Sequence, residues 1–227
     1  DYEAFLKQRK IKFIFQKTDD QRVVSFLKMK KFEFIELTNN KEFQVDHNFS
    51  LKIQRTDFYD SALILKINNK KIFNLNDCPL KSKSEIKSFK KKYGECDFLF
   101  TQFSYAAWKG GIDNIDWRKY AAEEKIQTLK YQSEILSSKF TIPFASFIYF
   151  SNKLNFYMND SVNTPEKVYD YLTKNSLNPV IMQPGEKQFI GHLQQNKSSL
   201  EFWKNKFEFN TESKNIDIYR KSYKLVD

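Results

Sequence analysis

Histidine is almost missing from this chain: His47 and His192 are the two imidazoles in 227 residues. Two such scattered groups do not assemble a Ser-His-Asp set. Cysteine is as scarce, with Cys78 and Cys96 alone. A pair of thiols builds no disulfide framework, and a reduced, cytoplasmic setting is the simplest expectation. Five glycines and five prolines exclude a collagenous or low-complexity chain. No apolar run approaches the roughly 20 residues that a membrane-spanning helix needs. The opening residues, Asp1-Tyr2-Glu3-Ala4-Phe5-Leu6-Lys7, carry none of the charged, apolar and cleavage regions of a signal peptide.

What is abundant is aromatic and basic. Apolar residues make up 41% of the chain and aromatics 17%, with 23 phenylalanines, so a packed core is expected rather than disorder. The length suits one large domain or two small ones. The net charge of +10 favours nucleic acid or another polyanion as a partner. The lysines are nevertheless spread along the whole chain. Their densest run, residues 81–92, reads as a basic helix or loop between two strands. It is either a solvated face or a nucleic-acid contact.

Hydrophobic periodicity orders the elements. Residues 11–16 read as a strand, and Asp19-Asp20 can cap a helix that runs through Lys30. Residues 32–37 give a second strand and complete a β-α-β unit. Residues 42–45 and 49–53 form a hairpin, and 61–67 pairs with 71–75 across the Asn68-Asn69 turn. A strand at 97–102 and a long helix at about 116–137, capped by Asp116, come next. Residues 140–150 are strongly apolar, with a break at Pro143. Thr164-Pro165-Glu166 starts a helix to Asn175. A strand around 179–182 and a helix from Ser198 close the series. The order is mixed α/β, with one α+β or layered α/β/α domain at 1–195 and a C-terminal helix and tail at 196–227.

Two strands end in polar groups: Ile72-Phe73-Asn74-Leu75-Asn76-Asp77-Cys78 and Asp97-Phe98-Leu99-Phe100-Thr101-Gln102-Phe103-Ser104-Tyr105. Polar groups at neighbouring strand ends suggest one site at the sheet edge. These two segments, together with Tyr59-Asp60-Ser61-Ala62-Leu63-Ile64-Leu65, Ile142-Pro143-Phe144-Ala145-Ser146-Phe147, Asn155-Phe156-Tyr157 and Gln183-Pro184-Gly185-Glu186, resemble the metallo-β-lactamase fold. Within that fold they resemble the metallo-hydrolase-like domain of CMP-N-acetylneuraminate hydroxylase and its bacterial relatives. The resemblance implies an αββα sandwich with a metal site at its edge. Asp77 matches the aspartate that bridges two metals there. Zinc, iron or manganese, as one or two ions, would then activate water or dioxygen on a small polar substrate.

The His-x-His-x-Asp-His motif of that fold does not occur here. The resemblance begins at the part of the fold that normally follows the motif. A C-terminal portion of the fold, incomplete at its N-terminus, is therefore expected, with the missing ligands coming from another segment or a second chain. Where a later histidine is expected, Thr56 to Asp60 offer Asp57 and Asp60. Asp60 is a metal ligand or a turn acceptor, and Asp77 a metal ligand or a turn cap. Gln102, Ser104, Tyr105 and His192 are candidate substrate contacts. Cys78 reads as a small buried residue, and His47 as exposed in a hairpin turn. Trp108-Lys109-Gly110-Gly111 is a weak anion-loop signal. No Cys-x-His pair for a Rieske cluster is present, so sialate hydroxylation does not carry over. The expected function is a metal-dependent hydrolase or oxygenase-like domain, active when the histidine motif is supplied. The alternative is a catalytically inactive basic module that binds nucleic acid or a protein partner.

Overall fold

A computed structural model describes residues 2–56, 60–76, 78 and 80–209. The chain opens with α1 (Tyr2–Gln8), β1 (Lys12–Gln16), α2 (Arg22–Met29) and β2 (Glu33–Leu37). β1 and β2 pair in parallel, with Phe13 opposite Phe34, so the β-α-β unit forms. α2 starts at Arg22, and the Asp20 carboxylate accepts from the Arg22 backbone N–H at 2.7 Å. Glu3 of α1 accepts from both Lys7 and Lys30, which ties α1 to the end of α2.

The main sheet has six strands in sequence order: β3 (Phe43–Asp46), β4 (Phe49–Arg55), β5 (Ser61–Ile67), β6 (Lys70–Asn74), β7 (Phe98–Thr101) and β8 (Phe140–Pro143). β3 to β6 form an antiparallel meander, while β6, β7 and β8 run parallel. Parallel neighbours need crossovers, and α3 (Lys83–Tyr93) and α4 (Ile115–Ile135) supply them. The basic run becomes a helix because Ser82 and Glu85 form a reciprocal capping box at its start. The β5–β6 turn places Asn68 at φ 53°, a conformation asparagine tolerates.

Alternation splits the strands into two apolar faces. Ala62, Ile64, Phe73, Leu75 and Leu99 pack on Ile86 and Phe89 of α3 and on Leu136 after α4. On the opposite face Leu51 and Ile53 take Leu37 of β2, while Ile72, Phe98 and Ile142 take Val180. Beyond β8 come a 3-10 turn (Phe156–Ser161), α5 (Pro165–Lys174) and α6 (Lys197–Phe209). Thr164 caps α5 through the Lys167 N–H. α6 docks through Trp203, whose ring stacks on Phe147 at 3.9 Å and whose Nε1–H donates to the Met182 carbonyl. No helix among the described residues is long and apolar enough to cross a membrane.

The strand expected at 179–182 shrinks to a bridge between Thr141 and Pro179. Val180 N–H reaches the Thr141 carbonyl, but Ile181 N–H goes instead to the Gln195 side chain at 2.7 Å. The next rung would need an N–H from Pro143 of β8, which proline lacks, so the ladder stops after one bridge.

A single cation holds the region between β7 and α5. Arg118 of α4 is 1% exposed. Its Nε and Nη2 donate to both oxygens of Asp160, while Nη1 and Nη2 reach the Gly111 and Ile112 carbonyls at 2.6 and 2.9 Å. Its guanidinium hydrogen bonds hold the Asp160 carboxyl below the usual range. Removing the counter-charge strands a buried cation. Asp160→Asn should therefore cost about 3 kcal/mol in urea unfolding at neutral pH. A depressed carboxylate stabilises above its unfolded pKa of about 4, and that stability is lost as pH falls through the folded value. The gap between the native chain and Asp160→Asn should therefore narrow below about pH 4.

Candidate functional site

β6 and β7 end side by side, and the chain beyond β6 stays tethered. Leu75 N–H donates to the Phe100 carbonyl at 2.8 Å, and Asn76 N–H to the Asn74 side chain at 3.1 Å. Between these ends and α4 lies a cavity of about 260 Å³. Asn76 and Cys78 line it from one strand end, Thr101 and Gln102 from the other, and Glu124, Lys125, Thr128 and Gln132 from the helix, with Lys81 at its edge.

Hydrogen bonds fix this wall. Gln132, 2% exposed, accepts from the Thr101 hydroxyl at 2.6 Å and donates to the Leu80 carbonyl at 2.8 Å. Lys125 Nζ donates to Gln102 Oε1 at 2.6 Å. The α4 residues escaped the sequence reading, yet they carried a signal. Glu124, Thr128 and Gln132 recur every four residues, which puts them on one face of a helix.

Of the site residues expected from sequence, Gln102 lines the cavity. Asp77 lies outside the described residues. Asp60 is exposed just before β5; its carbonyl accepts from Thr56 N–H, and its charge reaches Cys78. Ser104 and Tyr105 are corrected from pocket residues to core residues. Ser104 Oγ accepts from Asn163 N–H at 3.0 Å. Tyr105 packs with Ala121, Ala122 and Met158 and donates its hydroxyl to the Met158 carbonyl. Burial pushes that hydroxyl up to about 12. His192 is exposed in a loop bridged to Phe189, away from the cavity, and His47 is exposed in the β3–β4 turn against Asn48.

The two-glycine loop is structural. Gly110 has φ 81°, and a Cβ there would come within 2.5 Å of Asn114. Gly111 N–H donates to Asn114 Oδ1, while the Gly110 and Gly111 carbonyls serve Tyr157 and Arg118.

The donor chemistry here does not fit a metal centre built from the described residues alone. Among them, no three His, Cys, Asp or Glu side chains come together. The lining offers one carboxylate, Glu124, beside the ammonium groups of Lys81 and Lys125, which oppose a cation. Cys78 is 7% exposed, and burial, more than the charges of Asp60 and Glu85, pushes its thiol up to about 12. Cys96, buried behind the same sheet face, is pushed to a similar value by burial. Metal coordination and nucleophilic attack both need the thiolate. At pH 8 the native chain should therefore leave both thiols silent to a thiol-exchange reagent. Denaturant should release two equivalents; rapid reaction of either thiol in the native chain would contradict this geometry.

No family model and no curated protein matches the sequence. In structure the chain is similar to a mutant of the CmlA beta-hydroxylase, with a TM-score of 0.56 at 7% identity over 78% of this chain and 39% of that one. A second structure, of CmlA described as a diiron beta-hydroxylase from Streptomyces venezuelae, gives a TM-score of 0.48 at 7% identity, over 75% and 38%. The metallo-beta-lactamase fold protein YhfI from Bacillus subtilis gives 0.47 at 11% identity, over 80% and 67%. The chain thus spans about two fifths of the length of CmlA. None of these is a CMP-N-acetylneuraminate hydroxylase, so the resemblance to that branch expected from the sequence is not shown. At such identities the likeness is one of fold alone: the chain has a mixed α/β architecture similar to part of CmlA.

Proposed function

We propose that this chain is a ligand-binding domain on a metallo-enzyme type of fold, taking a small polar molecule in the cavity between β6, β7 and α4. The lining carries this reading. Carboxamides of Asn76, Gln102 and Gln132, hydroxyls of Thr101 and Thr128, and the charges of Lys81, Glu124 and Lys125 all face one small space. Such groups give orientation and specificity to a polar ligand. A ligand carboxylate or hydroxyl would compete with Gln102 for the Lys125 ammonium, so binding would rearrange that pair.

The second reading is the metal-dependent hydrolase or oxygenase, and the shared fold with CmlA favours it. Zinc, iron or manganese would then be held by Asp77, with Asp60 as a lesser ligand and the remaining ligands from another segment or chain. What the metal would supply is an activated water or dioxygen. A catalytically inactive basic module that binds nucleic acid or a protein partner is a separate reading, which the net charge of +10 supports.

Elemental analysis of the purified full chain separates them. The binding reading expects far less than one equivalent of zinc, iron or manganese, unchanged in Asp77→Ala. About one or two equivalents, lost in Asp77→Ala, would overturn it in favour of the metal enzyme.

A further inference from the structure

A second cleft, of about 140 Å³, shares no lining residue with the cavity just described. Four lysines from four elements meet there: Lys52 of β4, Lys66 of β5, Lys71 of β6 and Lys92 of α3. The register forces the approach. Lys66 lies directly opposite Lys71 across the β5–β6 pair and opposite Ser50 across β4–β5. Like charges placed directly opposite in an antiparallel pair destabilise it.

One carboxylate in the lining answers four ammonium groups. Glu42 accepts from the Ser50 hydroxyl at 2.7 Å and from Lys66 at 3.2 Å, with Lys52 at 3.8 Å. The hydrogen bonds recorded for the other two side chains are to neutral oxygens. Lys71 Nζ donates to the Tyr93 carbonyl, and Lys92 Nζ to Gln54 Oε1 at 2.6 Å. Glu95, near enough to feel Lys71, is paired with Lys90 at 2.8 Å. Each ammonium has three protons to donate, so Lys66, Lys71 and Lys92 retain donors for an oxyanion.

We propose that this cleft binds a phosphate-bearing ligand, whose oxygens bridge Lys66, Lys71 and Lys92 and relieve their mutual repulsion. The volume suits one or two phosphoryl groups, with the rest of the ligand outside. The shared chemistry is the phosphate, whether from a free oligophosphate or from a nucleic-acid backbone.

Titration calorimetry of the full chain with inorganic tripolyphosphate tests it. Saturable binding is expected, and Lys66→Gln and Lys92→Gln should each weaken it about tenfold. Lys87→Gln, on α3 but outside the cleft, should leave it unchanged, and all three variants should keep the native thermal midpoint within a few degrees. Absence of saturable binding, or an equal loss in Lys87→Gln, would sink the proposal. A single-stranded oligonucleotide that displaces tripolyphosphate and weakens in the same two variants assigns the phosphate to a nucleic-acid backbone. One that does not compete assigns it to a free oligophosphate. Neither readout depends on metal content, so this proposal and the preceding one stand or fall separately.

Discussion

A guanidinium almost sealed from solvent must have its donors met inside the fold, and that demand organises this molecule from β7 onward. Arg118 meets it with the Asp160 carboxylate and the carbonyls of Gly111 and Ile112. The loop after β7 is thereby pinned to the first turns of α4, and both are pinned to the 3-10 turn before α5, more than forty residues away. Desolvating a charge is expensive, so the arrangement holds only while every contact is present. Asn163 completes the same region without charge. Its side chain donates to the Phe103 and Ala122 carbonyls and accepts from Lys167. With α4 held, Thr128, Gln132 and Lys125 sit at the ends of β6 and β7, where the cavity forms.

The strands, the hairpins and the starts of α3 and α5 follow from local chemistry. Alternating Ser61–Ile67, the asparagine turn and Thr164-Pro165 act over a few residues and are readable along the chain. So is the notion that two strand ends frame a site, because strand polarity and crossover rules put them side by side. Long-range commitments are not readable in this way. Ser104 and Tyr105 look like pocket residues until Asn163 and the Met158 carbonyl, more than fifty positions away, take their polar groups. Pro179 to Met182 looks like a strand until Pro143, on the strand beside it, proves to have no N–H for a second rung. The reverse error hides Gln132, a polar residue in a helix that resembles a solvated one until its two partners are known.

Fold and chemistry part company here. A mixed α/β architecture similar to part of CmlA describes how strands and helices are layered, whereas chemistry depends on which side chains occupy the strand ends. At these ends stand carboxamides, hydroxyls and ammonium groups around a protonated thiol. A cluster of four lysines around one carboxylate lies elsewhere, where β4, β5, β6 and α3 adjoin. Lys66 and Lys71 stand two positions from Ile64 and Phe73 on the same sheet face, so the burial of those two residues beneath α3 fixes the register that sets the lysines opposite each other.

The two-stranded sheet of β1 and β2 carries a different kind of consequence. A lone strand pair is marginal in water, and this one leaves Val23, Phe26 and Met29 of its own helix at least half exposed. Its attachment to the rest passes through Leu37 packed on Leu51 and Ile53, and through Asn39 and Asn40 bonded to Arg55 and Ile53. The opening free energy of this layer is therefore set by a handful of contacts rather than by the core. Local opening of this layer is expected at a lower free energy than opening of the six-stranded sheet.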